Sequence, residues 1–245
     1  MKFFRRLKSF KAISFDLDDT LYSNRPIMLA IDKKMVTYFT KRIFPSINTT
    51  CLDSKFWWSY RQQALTNNNF LIHDVVALRL ESYFLGLKDL GFSSAVAQVE
   101  AQLALNYFTE QRSNFTVAKP VHNLLSSLQK KWPLVAISNG NVDTKSIGIN
   151  HYFSAIFHAG KHVGKNGDVH YRQKPFADMF VAACNELSIK PDELLHVGDC
   201  GRSDILGAQK AGCQTAWLSC YDVGKPLSVL PNIELSDVVE LHGLL

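Results

Sequence analysis

The chain has 245 residues, 47% of them hydrophobic and 20% charged, and carries a net charge of +5. That usage suits one large domain or a core with a smaller insert, and it excludes a disordered or fibrous chain. The basic residues are dispersed, whereas a nucleic-acid partner needs them clustered on one face, and no apolar run approaches a membrane span.

Along the chain, the basic run 2–11 reads as a solvated start. The apolar stretch 10–15 is too short for a signal peptide and runs straight into acids. Residues 12–17 read as a buried parallel strand whose C-terminal end is exposed. Residues 23–115 lack strand patterns and carry helical stripes. Met28, Ile31, Met35 and Phe39 form one; Val76, Leu80, Tyr83, Phe84 and Leu87 form a second, stopped near Gly91; Val96, Val99, Leu103 and Tyr107 form a third. A loop at 66–69 divides the set. Further strands are expected at 132–138, 193–199 and 214–219, with a shorter one at 156–159. Between them, Phe176, Met179, Phe180, Ala183 and Leu187 share one helical face, with Pro175 placed in its first turn. A second helix, 203–211, closes on Gly212, and 236–245 reads as a short closing helix. Such alternation predicts an α/β fold, a doubly wound parallel sheet, with an all-helical insert. The expected division is a core of 1–22 and 116–245 and an insert of 23–115. Five cysteines without close pairing suit reduced thiols, and the expected place is the cytoplasm.

The chemistry collects where strands end, the usual ligand site of open α/β sheets. Asp16-Leu17-Asp18-Asp19-Thr20 ends the first strand. The strand's period of two aims Asp16 and Asp18 the same way. Two such carboxylates can divide phosphoryl transfer between a nucleophile and an acid/base, although an acidic turn would look the same. Ser138 precedes Asn139-Gly140, where a hydroxyl and turn amides can bind a phosphate oxygen or simply make a turn. Lys174 stands before Pro175, placed either to neutralise a phosphoryl group or as a solvated lysine. Asp199 and Asp204 offer hard oxygen ligands of the kind magnesium takes, Asp204 having a helix cap as its alternative role.

These four elements in this order resemble the haloacid dehalogenase-like superfamily, over the whole chain. The resemblance implies Asp16 as nucleophile and Asp18 as general acid/base, with Thr20, Ser138, Asn139 and Lys174 on the phosphate side. It implies Mg2+ held by Asp16, the Asp18 carbonyl and Asp199, with Asp204 in support, and a helical cap that closes over the substrate. Members that are dehalogenases lack an acid two places after the nucleophile, because a halide leaves without a proton. Asp18 therefore points to phosphatase. The segments around Asp16, 131–141, 174–180 and 195–199 further resemble a bacterial phosphatase of riboflavin synthesis. That likeness implies a small phosphorylated metabolite as partner, a ribitylaminouracil phosphate or flavin mononucleotide (FMN). Cys200 departs from the second aspartate common there, and the loop 161–173 is longer than expected.

Tyr22, Asn24, Arg25, His73 and Asp74 are candidates for substrate contact, each with a backbone-capping role as the plainer alternative. His196 reads as a satisfied buried histidine. Trp57, Trp58 and Tyr60 read as core, or as a wall for a flavin-like ring. The rival functions are another sugar-phosphate or nucleotide phosphatase, a phosphomutase, and a non-catalytic phosphate-binding protein. Oligomeric state is not encoded in these patterns.

Overall fold

The computed structural model describes residues 1–43, 52–164, 167–220 and 226–245. Two strands open the chain, β1 (Lys2–Phe3) and β2 (Ala12–Phe15), and every residue of β2 is buried. Helices α1 (Asn24–Ile43), α2 (Ser54–Asn67), α3 (Val75–Asp89) and α4 (Ser94–Arg112) follow, then α5 (Lys119–Leu128) and β3 (Leu134–Ser138). Strand β4 (Ala155–His158) leads into a hairpin of β5 (Gly160–Gly164) and β6 (Gly167–Tyr171), and then α6 (Asp178–Glu186). After β7 (Leu194–Gly198), a π-helical turn at Gly201–Leu206 runs into α7 (Gly207–Lys210). The chain ends with β8 (Gln214–Leu218), β9 (Ile233–Leu235) and a 3-10 segment, Val238–Leu244.

The main sheet has the order β1-β9-β8-β7-β2-β3-β4, and all its pairings are parallel except β1 with β9. From β2 the chain winds outward through β3 and β4, then returns to the other side of β2 through β7 and β8. The C-terminal ends of β2 and β7 therefore lie where the winding reverses, the crevice in which such sheets bind ligands. This is the doubly wound α/β class with an inserted all-helical unit.

By its contacts the chain divides into two units: Met1–Asn24, Thr116–Gly140 and Thr144–Leu245 in one, Arg25–Phe115 with Asn141–Asp143 in the other. In the sheet unit, α6 buries Met179, Phe180 and Ala183 against Ala12, Val135 and Leu194. In the helical unit, Ile31, Met35 and Phe39 of α1 meet Trp57, Tyr83, Leu87 and Phe108. Burying a side chain such as Phe39 contributes about 1.5–3 kcal/mol. Among the described residues, no helix is long and apolar enough to cross a membrane.

Four expectations are corrected. Helix α4 does not bury Val96, Val99 and Leu103, which are exposed; it packs through Ala97, Ala101, Ala104 and Phe108. Alanines let helix axes approach closely, so a seam of small residues wins over a stripe of larger ones. On α3, likewise, Val76 is exposed and Leu78 takes its place inside. Pro175 does not sit in the first turn of α6: its peptide bond to Lys174 is cis, and the helix starts three residues later at Asp178. The long loop 161–173 is largely the β5–β6 hairpin. Strands β1 and β9 carried no clear sequence signal, because each is two or three residues long. Cys51 lies outside the described residues.

Candidate active site

Asp16 directly follows β2, and its N–H continues the ladder by donating to the Val197 carbonyl at 2.9 Å. That bond holds its carboxylate at the exposed end of the central strand, where it is 7% exposed. The chain then turns sharply. Leu21 N–H reaches back to the Leu17 carbonyl at 3.0 Å, and Asp19 takes a left-handed φ of 56°, which a short polar side chain tolerates. The Asp19 carboxylate accepts from the Asn24 N–H at 2.8 Å, tying the turn to the start of α1. Within this loop the Tyr22 hydroxyl donates to Asp18 Oδ1 at 2.8 Å.

Strand β3 delivers Ser138 and Asn139. The buried Ser138 hydroxyl accepts from the Gly140 N–H at 3.0 Å. Gly140 lets the loop pass close to Asp18: a Cβ there would lie 2.6 Å from Asp18 Oδ2 and displace that carboxylate. Asn139 spends its amide on the neighbouring loop, Oδ1 accepting from Lys174 N–H at 2.7 Å and Nδ2 donating to the Lys174 carbonyl at 3.1 Å. This two-point clamp fixes Lys174, whose 2% exposed side chain passes beneath the cleft. Its ammonium donates to Asp16 Oδ1, to Asp204 Oδ1, both at 2.6 Å, and to the Ile137 carbonyl at 2.7 Å.

Strand β7 supplies the remaining carboxylates. The Asp199 carbonyl accepts from the Trp217 indole at 2.7 Å. The wide turn after it brings Asp204 back under Gly198, where a Cβ would fall 2.4 Å from Asp204 Cγ. Asp204 is the best-satisfied acid of the group. Besides Lys174, it accepts from the Cys200 N–H at 2.9 Å and is bonded to His196 Nε2 at 3.2 Å. His196 Nδ1 in turn meets the Ser14 hydroxyl at 2.9 Å, completing a buried line Ser14–His196–Asp204–Lys174–Asp16. With Ser14 donating to Nδ1, the neutral ring has Nε2–H to give to Asp204.

The electrostatics follow from these bonds. Burial alone would raise Asp204, but Lys174 and His196 outweigh it and hold the acid below the usual carboxylate range. Asp16, with Lys174 shared, is pushed well above that range, first by burial and then by Asp204 and Asp199. Asp199 is pushed up to about 7 by burial and by Asp204. Burial works against the charge on Lys174, yet Asp16 and Asp204 together raise it. His196 is lowered, chiefly by burial. Oxygens of Asp16, Asp199 and Asp204 lie within 4.8 Å of one another, served by one ammonium. The acid in excess of the chain's own positive charge, in an all-oxygen donor set, fits a hard divalent cation.

A cleft of about 190 Å³ opens here, lined by Asp16, Asp18, Asp19, Ser138, Asn139, Gly140, Asp199, Cys200, Ser203 and Asp204. Of the residues named from sequence, Lys174 lies below it and Thr20 does not line it. The Thr20 hydroxyl is buried without a partner. Sequence reasoning missed Ser203 and Gly140 as lining residues, and the parts played by Tyr22 and His196. For Tyr22, its place four residues after Asp18 was the available signal. Elsewhere, Asp74 caps α3, accepting from Val76 and Ala77 N–H. Arg25 is exposed, and His73 stacks edge-on against Phe70.

The family described as haloacid dehalogenase-like hydrolase matches residues 10–212 of this chain. The chain is 33% identical to the 5-amino-6-(5-phospho-D-ribitylamino)uracil phosphatase YigB of Escherichia coli (strain K12), with 100% of both chains covered. It is 24% identical to the N-acylneuraminate-9-phosphatase of Homo sapiens, covering 98% of this chain and 95% of that one. Among solved structures, the 2-haloacid dehalogenase of Pseudomonas syringae pv. Tomato DC3000 superposes with a TM-score of 0.82 at 26% identity, covering 96% and 97% of the two chains.

Proposed function

This chain belongs to the haloacid dehalogenase-like hydrolases and is a phosphatase, and from that premise we propose that Asp16 is its nucleophile and a ribitylaminouracil phosphate its substrate. The observation that carries the reading is the buried ammonium of Lys174 shared between Asp16 and Asp204. Lys174 occupies Asp16 Oδ1, which leaves Oδ2 to attack.

The Asp16 oxygen forms a bond to phosphorus as the bond from phosphorus to the ester oxygen breaks. The Asp18 carboxyl gives its proton to the departing alkoxide. Asp18 then takes a proton from water, whose oxygen displaces Asp16 and releases inorganic phosphate. Tyr22 holds Asp18 in position through both steps. Ser138 and its turn amides take a phosphate oxygen, and Lys174 offsets the charge that gathers on the phosphoryl group. Asn139 acts through Lys174 rather than on substrate, and Thr20 supports the turn. Mg2+, held by Asp16, Asp199 and the Asp18 carbonyl with Asp204 behind them, would neutralise the carboxylates and phosphoryl oxygens. The proposed core is 1–22 and 116–245, with 23–115 as the cap.

The substrate assignment rests on the 33% identity to YigB along the whole chain; FMN is the second substrate in this reading, and riboflavin metabolism its setting. The test is phosphate release from a panel of phosphomonoesters that includes both compounds, with and without magnesium. Magnesium-dependent release that favours the ribitylaminouracil ester, and that is lost in Asp16→Asn, is the expected result. Full activity in Asp16→Asn would overturn the mechanism. Preference for an unrelated sugar phosphate would overturn the substrate alone, and a bisphosphate product would make the enzyme a mutase.

A further inference from the structure

Within the helical unit, residues of α1 to α4 line an open pocket of about 250 Å³ that the proposed mechanism does not use. Phe108 is part of its wall. Trp58 also lines it and is 60% exposed, an unusual position for so large an apolar ring. Among these aromatics stand Asp32, Asp53, Arg61 and Arg79. Asp53 is committed, accepting from Lys55 and Phe56 N–H as the cap of α2. Arg79 is hydrogen-bonded to the Tyr83 hydroxyl, and Arg61 lies over the Trp58 ring at 5.9 Å.

Arg79 lies over the Phe108 ring at 3.5 Å, and among the described residues neither it nor Arg61 forms an ion pair. The two guanidiniums are close enough to repel: Arg61 is lowered first by burial and then by Arg79. Asp32 is raised by burial and lies within the influence of Arg79. Each guanidinium has five N–H groups, more than these contacts use, and half-buried donors in surplus are costly unless something supplies further acceptors. An apolar ligand would leave them unmet. A carboxylate or phosphate would meet the arginines but face Asp32. A flat neutral ring with carbonyl oxygens for the arginines and a ring N–H for Asp32 satisfies all three, and its face suits the exposed Trp58 ring.

Size narrows the choice. Pockets for drug-sized ligands run to roughly 300–1,000 Å³, so about 250 Å³ accommodates a single substituted ring better than a fused three-ring system. We propose that this cavity binds a pyrimidinedione ring through Asp32, Arg61 and Arg79, and prefers it to a flavin. The ring's identity rests on the ribitylaminouracil reading above; the existence of the site does not.

The experiment is tryptophan-fluorescence titration of the intact protein with phosphate-free 5-amino-6-ribitylaminouracil, its N3-methyl derivative and riboflavin. The wild type, Asp32→Asn and Arg61→Gln are compared, each checked for folding by thermal melting. Saturable quenching by the ribitylaminouracil is expected, weaker by about tenfold or more in either variant and for the N3-methyl derivative, with riboflavin the weaker ligand. No saturable quenching, or binding unaltered by both variants, overturns the proposal. Should a variant not fold, the methylated ligand decides on the wild type alone: equal binding with and without the N–H overturns the site. Hydrolysis of the ribitylaminouracil phosphate without ring binding leaves the catalytic reading standing and removes this one. Ring binding without that hydrolysis does the reverse.

Discussion

The strand ends of the sheet unit and the cavity of the helical unit both bury charge, but they treat it differently. At the strand ends the charges are locked to one another: Lys174 is shared by Asp16 and Asp204, and Asp204 is held again by His196 and Cys200. In the helical unit Arg61 and Arg79 lie beside Asp32 without closing an ion pair. Locked charges are preorganised, which suits stabilising a transition state whose geometry never varies. Charges left outside an ion pair can serve recognition. In the proposed reading, chemistry and selectivity fall to separate parts of one chain.

Substitutions can break that contrast in graded ways. The largest effect is expected for Asp16→Asn, which removes the proposed nucleophile while keeping its shape. Phosphate release should fall by at least ~10⁴-fold, with the thermal midpoint lowered little. Asp18→Asn should cost about 10²–10⁴-fold on alkyl phosphates and clearly less on p-nitrophenyl phosphate, whose leaving group needs no proton. Equal losses on both esters would show that Asp18 is not the acid.

Lys174→Met tests the locking itself. Leaving buried carboxylates without their cation should destabilise the protein by about 3–5 kcal/mol, readable by urea denaturation, and abolish turnover. His196→Leu removes one bond to Asp204 and strands the Ser14 hydroxyl, for a cost of about 1–3 kcal/mol and a raised magnesium requirement. An unchanged magnesium dependence would reduce His196 to a packing residue. The smallest effect is expected in the helical unit. Asp74→Ala should cost about 1 kcal/mol through lost capping of α3 and leave KM unchanged, whereas a raised KM would make Asp74 a substrate contact.

How much of this was legible in the residues depends on how local each feature is. The buried parallel strands were legible because a strand covered on both faces is mostly apolar, as in Ala12–Phe15 and Leu134–Ser138, where Ser14 and Ser138 are the exceptions. Asp16, Asp18, Ser138, Asn139, Asp199 and Asp204 were legible as candidates because polar residues directly after such runs have to stand at the sheet's edge, and the structure gathers them around one cleft. The inner face of α1 was legible because its large residues repeat at helical spacing.

What stayed hidden was set by partners distant in sequence. The buried line from Ser14 to His196 exists because β2 and β7 pair with Ser14 opposite His196, a register that no single strand announces. That the Asn139 amide clamps the Lys174 backbone depended on a loop 35 residues away. The face of α4 was decided by how closely its neighbours approach, so alanines went inside and valines stayed out. Composition and periodicity by themselves determined the class of fold, the inserted helices and the acids at the strand ends, because these follow from local rules of burial. Only tertiary structure decided which of those acids is neutralised, which is left raised, and where Arg61 and Arg79 come together, because electrostatic environment is a property of neighbours in space.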